Sequence, residues 1–230
     1  MNIASLIDHT LLKPTATATD IDRLCQEAVH HQFCSVCVNP IYVRQAAALL
    51  QNTPVLVGTV IGFPLGANLI ETKAVETRSA LRDGAREIDM VLNIGALKDG
   101  KIATVLTDIQ AVTQLCQAAG ACSKVIFETC LLTDAEKVLA CELCITCGAN
   151  FVKTSTGFST AGATVVDVTL LSQQVAPHGL GVKAAGGIRS FSDFQLMVAA
   201  GATRIGTSAG IKILQEAALS PPTTHGPADS

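Results

Sequence analysis

Two lysines lie in segments that otherwise have the composition of buried β-strands. Lys153 belongs to the segment Phe151–Gly157, and Lys183 belongs to the segment Gly181–Gly187. Because burial disfavours an ammonium ion, a lysine in a dry site loses its proton well below the usual pKa of about 10.4. A second lysine nearby strengthens this effect. The pair therefore predicts an amine nucleophile that forms an imine with a carbonyl substrate.

The residues that follow each lysine indicate which one reacts. Lys153 precedes a hydroxyl-rich turn, Thr154 to Thr156, which can hold a carbinolamine oxygen and relay its proton. Lys183 is followed by two alanines, which can do neither. We therefore predict that Lys153 is the nucleophile and that Thr154 contacts the substrate. Lys183 is predicted to remain charged and to lower the pKa of Lys153.

Two acidic residues are candidates for proton transfer beside the lysines. Asp89 stands in the mostly apolar segment Glu87–Asn93 and is predicted to move protons during the reaction. A structural carboxylate paired with one lysine is the alternative. Asp8 is predicted only to support the site, because pairing with a lysine or a backbone amide explains its position equally well.

Two glycine-rich turns, 185–189 and 206–210, predict an anion site. The second turn leads into a helix, and backbone amides at such turns and at helix N-termini bind phosphate groups. The predicted phosphate ligands are Gly186, Gly187, Gly206 and Ser208. The alternative is that the glycines serve only the tight turns. An amine nucleophile beside a phosphate site indicates Schiff-base chemistry on a phosphorylated sugar.

A weak repeat indicates the elements that position these groups. Helical segments end in glycine, and a short apolar segment follows each of them. Glycine ends a helix because it adopts the left-handed conformation without a Cβ clash. The glycines concerned are Gly84, Gly120, Gly148, Gly179 and Gly201. Helix starts agree, since two residue pairs have the spacing of a capping box. These pairs are Thr133 with Glu136 and Ser190 with Asp193.

Eight segments have the length and apolar composition of strands. They are Ile7–Leu12, Cys34–Val38, Val55–Ile61, Glu87–Asn93, Lys124–Thr129, Phe151–Ser155, Gly181–Ala185 and Arg204–Thr207. Eight βα units in 230 residues predict an α/β protein with a (β/α)₈ barrel, formed as a single domain by residues 1–219. A doubly wound open sheet is the alternative. Residues 220–230, rich in proline and polar residues, are predicted to be a disordered tail.

A barrel of this kind has its active site at the carboxyl ends of the strands. Besides the lysines and acids, this rule brings Thr10 and Cys37 to the site, because each lies near the end of a predicted strand. We expect both residues to support the reacting groups.

The composition excludes several classes of protein. With 49 % hydrophobic and 15 % charged residues, the chain resembles α/β proteins whose parallel strands are buried on both faces. A net charge of −3 without a basic cluster argues against nucleic-acid binding. The N-terminus lacks the features of a signal peptide, and glycine and proline interrupt the longest uncharged stretch, 55–70. We expect no membrane span and a cytoplasmic location.

Nine cysteines raise the question of a metal site. Cys141, Cys144 and Cys147 are three residues apart, and Cys34 with Cys37 forms a second C-x-x-C pair. A cluster would need a fourth cysteine nearby, and residues 148–151 contain none. The run also follows the core-facing side of one predicted helix, 134–146. We expect free, buried thiols in a reducing compartment, and no metal.

The motifs around these residues resemble those of the 2-deoxyribose-5-phosphate aldolases, a family of class I aldolases with a (β/α)₈ barrel. The matching segments span most of the chain. They are Asp8–Pro14, Glu87–Gly95, Val152–Phe158, Val182–Arg189 and Arg204–Ser208. Two positions depart from some members: Phe158 stands where they have a lysine, and Tyr42 is the only tyrosine, whereas they close the site with a C-terminal tyrosine.

The resemblance implies residue roles and a reaction. The family's Schiff-base lysine falls on Lys153, its second lysine on Lys183 and its catalytic aspartate on Asp89. The implied reaction is the reversible cleavage of 2-deoxy-D-ribose 5-phosphate to acetaldehyde and D-glyceraldehyde 3-phosphate, in the catabolism of deoxyribose phosphate and deoxyribonucleotides. No cofactor is implied, because the iminium itself is the electron sink. The expected partners are small sugar phosphates and aldehydes, and a homodimer or homotetramer is compatible with the sequence.

Two other functions remain open at this point. One is a different Schiff-base barrel enzyme, such as a transaldolase, which product analysis with acetaldehyde as donor would distinguish. The other is a non-catalytic barrel that binds sugar phosphates. Such a barrel would keep the glycine turns but would not need both lysines and Asp89, so the presence of all three residues argues against it.

Overall fold

The eight predicted strands are present, and they close into a parallel barrel. A computed structural model describes residues 2–219, and within them the strands are β1 (Ile7–Leu11), β2 (Ser35–Val38), β3 (Leu56–Ile61), β4 (Glu87–Val91), β5 (Cys122–Ile126), β6 (Phe151–Lys153), β7 (Gly181–Ala185) and β8 (Arg204–Thr207). The strands pair in sequence order, and β8 pairs with β1. The predicted (β/α)₈ barrel is therefore confirmed. The predicted tail, 220–230, lies outside the described residues.

Helices connect the strands and pack around the outside of the barrel. Within residues 2–219 they are α1 (Ala18–His31), α2 (Val43–Leu49), α3 (Ile70–Arg82), α4 (Ile94–Lys98), α5 (Ile102–Ala118), α6 (Asp134–Thr146), α7 (Val165–Val175), α8 (Phe191–Ala199) and α9 (Gly210–Leu219). Both predicted capping boxes are confirmed, at the starts of α6 and α8. The five predicted helix-ending glycines all have positive φ, as such a stop requires.

The alternation of side chains along each strand separates the apolar core from the polar interior of the barrel. Outward-facing residues such as Val36, Ile88 and Val152 are fully buried in the core between barrel and helices. The residues between them point inward, and most of these are small, polar or charged. This division places the charged strand residues inside the barrel.

Several strand ends differ from the predicted ones. β5 starts at Cys122, opposite Glu87, and its pairing with β6 ends at Ile126. The predicted strand 124–129 is therefore shifted towards the N-terminus. The cause is Glu128, whose left-handed φ of 54° turns the chain out of the sheet. β4 also ends early, because the side chain of Asn93 accepts a hydrogen bond from the amide of Ala96 and caps α4.

The cysteines are free thiols, and most are buried. Cys141 and Cys144 lie on the buried side of α6, and Cys147 follows at its end. Within residues 2–219, no group of three histidine, cysteine or acidic residues has an arrangement that could hold a metal ion. No helix in this part of the chain is long and apolar enough to cross a membrane.

Candidate active site

Lys153 and Lys183, the two lysines predicted to form the reactive pair, face each other inside the barrel. Lys153 ends β6 and pairs in register with Lys183 in the middle of β7. Both ammonium groups reach the same carboxylate oxygen, because each Nζ lies 2.8 Å from Oδ2 of Asp89. The structure thus brings together the three residues predicted to carry the chemistry.

A third lysine, which sequence reasoning missed, holds the other oxygen of Asp89. Nζ of Lys124 on β5 lies 3.0 Å from Asp89 Oδ1 and 2.7 Å from Glu87 Oε2. Lys124 and Glu87 stood at the starts of predicted strands, where charged residues usually meet water. The one available signal was spacing: Glu87 lies two residues before Asp89, so both side chains point to the same side of β4.

Asp8 extends the network across to β8. Its Oδ2 lies 2.6 Å from Nζ of Lys183, and its Oδ1 lies 2.7 Å from Nη1 of Arg204. Oδ1 also accepts a hydrogen bond from the hydroxyl of Ser35 at 2.7 Å. The structure therefore places Asp8 as a second carboxylate that binds Lys183, and its supporting role stays a prediction.

The lysines of this network differ in the direction of their pKa shifts. Burial lowers the pKa of Lys153, and Lys183 adds to this effect, so the pKa lies below its usual value despite the opposing influence of Asp89. Burial would also lower the pKa of Lys183, but Asp8 and Asp89 raise it above the usual value. Lys153 is therefore the lysine that gives up its proton most readily, while Lys183 stays charged.

The acids stay ionised despite their burial. Burial alone would raise the pKa of Asp89, but Lys124, Lys153 and Lys183 hold it well below the usual 3.8. The pKa of Asp8 is lowered in the same way, because Lys183, Lys124 and Arg204 outweigh the effect of burial. Both carboxylates are therefore ionised at neutral pH.

A cleft of about 370 Å³ opens at the carboxyl ends of the strands, and Lys153 reaches it. Lys183 lies behind the cleft wall, with its stem against Gly206. A Cβ on Gly206 would approach Cε of Lys183 to 2.9 Å, so this glycine makes room for the lysine. Of the two lysines, only Lys153 lines the cleft in the described part of the chain.

The predicted phosphate ligands gather at one end of this cleft. Gly186, Gly187, Gly206 and Ser208 all line it. The amides of Gly187 and Ser208 donate no hydrogen bond to any residue in the range 2–219, and Ser208 lies just before α9. These free amides and the positive end of α9 suit an anion. Lys13 and Arg189, which were not among the predicted site residues, also line the cleft.

Thr154 does not lie where it was predicted to act. Its hydroxyl donates to the carbonyl of Ala185 and accepts from the amide of the same residue, both at 3.1 Å. The side chain therefore joins the end of β6 to β7 and does not line the cleft. Thr156 takes the place at the cleft wall, where its hydroxyl is bonded to the carboxylate of Glu128.

The two predicted supporting residues occupy different positions. Thr10 lines the cleft, and its hydroxyl donates to the carbonyl of Asp8 at 2.8 Å. Cys37 is buried inside the barrel beside Leu12 and Val60, and burial raises the pKa of its thiol. A protonated thiol there contributes packing and no charge.

One wall of the cleft is aromatic. Phe158 is 51 % exposed and packs edge-to-face against Phe63, with ring centroids 5.3 Å apart.

The geometry as a whole provides an amine of lowered pKa that is open to the cleft, a buried cation and carboxylate beside it, and an anion site at one end. This arrangement suits imine chemistry on a small phosphorylated carbonyl compound.

Comparisons with known proteins identify aldolases that are similar to this chain in sequence and in fold. The model of the DeoC/LacD family of aldolases matches residues 3–216. A deoxyribose-phosphate aldolase of Brevibacillus brevis is 58 % identical over 93 % of this chain and 96 % of its own length. A similar crystal structure is that of a putative deoxyribose-phosphate aldolase from Coccidioides immitis, with a TM-score of 0.92, 44 % identity and coverage of 94 % of this chain and 86 % of that one. The tetrameric deoxyribose phosphate aldolase of Aeropyrum pernix has a TM-score of 0.88, 39 % identity and coverage of 93 % and 89 %.

Proposed function

Because the chain belongs to the DeoC/LacD family of aldolases, we propose that it reversibly cleaves 2-deoxy-D-ribose 5-phosphate to acetaldehyde and D-glyceraldehyde 3-phosphate. The proposal extends to the mechanism, a Schiff base on Lys153, and to a role in the catabolism of deoxyribose phosphate and deoxyribonucleotides. Relatives named for this activity match at 56–58 % identity over more than nine-tenths of the chain.

The steps follow from the chemistry of an imine. The neutral amine of Lys153 adds to C1 of the open-chain sugar, and loss of water from the carbinolamine leaves an iminium ion. Removal of the proton from the C3 hydroxyl breaks the C2–C3 bond, and its electron pair moves into the iminium to form an enamine. D-Glyceraldehyde 3-phosphate leaves. Protonation of the enamine at C2 and hydrolysis of the new iminium then release acetaldehyde and free Lys153.

One observation carries the assignment of Lys153 as the nucleophile. Lys153 and Lys183 share an oxygen of Asp89 at the same 2.8 Å, but only Lys153 lines the cleft. Lys183 is held by two carboxylates and stays charged. Its role in the proposal is to disfavour a second ammonium ion at Lys153.

Asp89 is proposed to move the protons. It is ionised, and its Oδ2 lies within hydrogen-bond distance of Lys153 Nζ, where the carbinolamine and enamine form. The phosphate of the sugar is proposed to bind in the turns that contain Gly186, Gly187, Gly206 and Ser208, where the amides of Gly187 and Ser208 are free to donate to it.

Borohydride trapping tests this function. Wild-type protein is incubated with acetaldehyde, reduced and digested, and mass spectrometry locates the ethyl group. We expect the adduct on Lys153, and none in Lys153→Leu. Lys183→Leu should still form it at raised pH. An adduct on residue 183 in Lys153→Leu, at the wild-type level, would reverse the two roles.

Product analysis tests the substrate. The purified protein should convert 2-deoxy-D-ribose 5-phosphate to the two aldehydes and should make the sugar phosphate from them in reverse. Turnover of another sugar phosphate without turnover of this one would reject the substrate while leaving the imine chemistry in place.

Assembly and location are part of the same proposal. The A. pernix relative is tetrameric, and we propose a homo-oligomer, either a dimer or a tetramer, acting in the cytoplasm on small aldehydes and sugar phosphates. Sedimentation equilibrium at several protein concentrations would measure the oligomeric state, and a monomer throughout would reject this part.

A further inference from the structure

The eight strands carry an unequal number of acidic and basic side chains. The acids are Asp8, Glu87 and Asp89, and the lysines and arginine are Lys124, Lys153, Lys183 and Arg204. His9 on β1 is left out of this count because its ring pairs with Glu27 outside the barrel. All seven belong to one connected set of ion pairs inside the barrel. When every group is ionised, three carboxylates face four cations, so one positive charge has no counter-charge. If one lysine is neutral, the set is balanced.

The ion pairs are distributed so that Lys153 is the cation in excess. Lys183 and Arg204 each contact two carboxylates, and Lys124 lies within 3.8 Å of three. Lys153 has a single ion pair within the described residues, to Asp89 Oδ2, and it shares that oxygen with Lys183. Loss of a proton from any other cation would leave a buried carboxylate poorly compensated.

We infer that Lys124 and Glu87 are positioning residues for the proposed reaction: through the balance of charge in the barrel they determine that Lys153 is the neutral amine. Neither residue lines the cleft. Lys124 occupies Oδ1 of Asp89 and leaves Oδ2 to Lys153 and Lys183. The carboxylate of Glu87 holds both Lys124 and Arg204 in place. Its Oε2 lies 2.7 Å from Lys124 Nζ, and its Oε1 lies 3.0 Å from Arg204 Nη1.

The pKa directions of the other groups are consistent with this assignment. Burial would lower the pKa of Lys124, but Asp89, Glu87 and Asp8 raise it well above the usual value. The pKa of Arg204 is raised by Asp8 and Glu87 in the same way. Of the four cations Lys124, Lys153, Lys183 and Arg204, Lys153 alone has a lowered pKa.

The surroundings of Lys153 contain few other groups that titrate. The charged or titratable residues that face the barrel interior are Asp8 on β1, Cys37 on β2, Glu87 and Asp89 on β4, Cys122 and Lys124 on β5, Lys183 on β7 and Arg204 on β8. Lys13 and Arg189 line the cleft above. His9 faces outward from β1, where its Nε2 lies 2.7 Å from Glu27 on α1.

The sign of the effect distinguishes electrostatic positioning from a merely structural role. Lys124→Met removes a cation near Lys153, so the ammonium form of Lys153 becomes more favourable and its pKa rises. Glu87→Gln removes an anion, so the pKa falls. Lys124→Met/Glu87→Gln removes one charge of each sign and restores the balance. A structural role would lower activity in all three variants without opposite shifts.

The experiment is the pH dependence of borohydride trapping with acetaldehyde, and it rests on the proposed function. The midpoint, the pH at which the trapping rate is half of its maximum, should rise by about one unit in Lys124→Met. It should fall by about one unit in Glu87→Gln. In the double variant it should return close to wild type. Below the midpoint, one unit corresponds to about a tenfold change in trapping rate.

Matched controls come from buried pairs outside the barrel. Lys73 is fully buried and lies 2.6 Å from Asp108, between α3 and α5. Lys73→Met should lower the melting temperature and leave the midpoint unmoved. Lys137→Met, which breaks a 2.5 Å pair with Asp167, is the second control. Thermal unfolding of each variant shows that the trapped protein is folded.

The outcomes separate the two proposals. If the wild type traps no acetaldehyde at any pH, the proposed function fails. If the wild type traps it but both single variants move the midpoint in the same direction, or neither moves it, the positioning role is wrong. Should Lys124→Met fail to fold, Glu87→Gln alone decides, because an unmoved or raised midpoint there overturns the inference.

Discussion

Replacing Asp89 by asparagine is the most direct perturbation of the proposed chemistry. Asparagine keeps the size of the side chain and removes its charge. The carboxylate meets three ammonium groups, Lys153 and Lys183 at 2.8 Å and Lys124 at 3.0 Å. The substitution therefore tests proton transfer and the buried network together, and its two effects must be measured separately.

The loss of stability can be bounded from the contacts that remain. Breaking a buried ion pair costs about 3–5 kcal/mol of the free energy of unfolding. Lys124 keeps Glu87 and Lys183 keeps Asp8, so we expect a loss near the lower limit, about 3 kcal/mol. For a domain of this size, that corresponds to a fall of about 6–12 °C in melting temperature. The variant should remain folded at room temperature.

The catalytic loss follows from the proposed role. A positioned acid–base group contributes about 10²–10⁴-fold to a rate, so kcat for cleavage should fall by that factor, about 3–5 kcal/mol of activation free energy. Exchange of the methyl protons of acetaldehyde with D₂O, followed by NMR, should slow equally, because it reports proton transfer to and from the enamine. End-point imine trapping should persist, since Asp89→Asn removes an anion and lowers the pKa of Lys153 further.

A second buried carboxylate provides the control. Asp108→Asn removes the partner of Lys73, at 2.6 Å, and should lower stability to a similar extent while leaving the exchange rate unchanged in the folded protein. If folded Asp89→Asn exchanges the acetaldehyde protons at the wild-type rate, Asp89 does not move protons and its role is structural.

Further predictions concern the anion site, the glycine behind Lys183, and acid stability. Ser208→Asp should raise KM for the phosphorylated sugar about 10–100-fold, by charge repulsion at the free amides, while turnover of unphosphorylated deoxyribose changes little; equal losses on both substrates would reject the site. Gly206→Ala should displace Lys183, whose Cε lies 2.9 Å from the new Cβ, and should cost about 1–3 kcal/mol of stability together with activity; unchanged melting and turnover would contradict this steric conflict. Because the folded-state pKa values of Asp8 and Asp89 are lowered, the stability they contribute is present above pH 3.8 and is lost as the pH falls further below that value. Asp89→Asn lacks this contribution to the free energy of unfolding, so its acid unfolding, monitored by circular dichroism, should occur at higher pH than that of the wild type. An unchanged unfolding pH would contradict the contribution of Asp89.

The barrel itself could be predicted from the sequence because its signals are local. A capping box joins residues three apart, as Thr133 and Glu136 do, and a glycine such as Gly148 ends a helix through its own φ. The strand ends were less accurate where a non-local contact decides. β5 stops at Ile126 because Glu128 turns away in a left-handed conformation, in which its carboxylate accepts hydrogen bonds from the distant Thr156. Nothing in the sequence around Glu128 marks that turn.

Local sequence was enough to predict Lys153, Lys183 and Asp89 as inward-facing polar residues of strands, because their neighbours along the chain are mostly apolar or small. The partners of these residues depend on the closed barrel. Arg204 contacts Asp8 across 196 positions of sequence and Glu87 across 117, and closure of the barrel creates both contacts. Register also directs the hydroxyl of Thr154 into the sheet and places Lys153, rather than Lys183, at the cleft. Charge balance in a closed interior depends on all strands at once, so no local pattern along the chain could contain it.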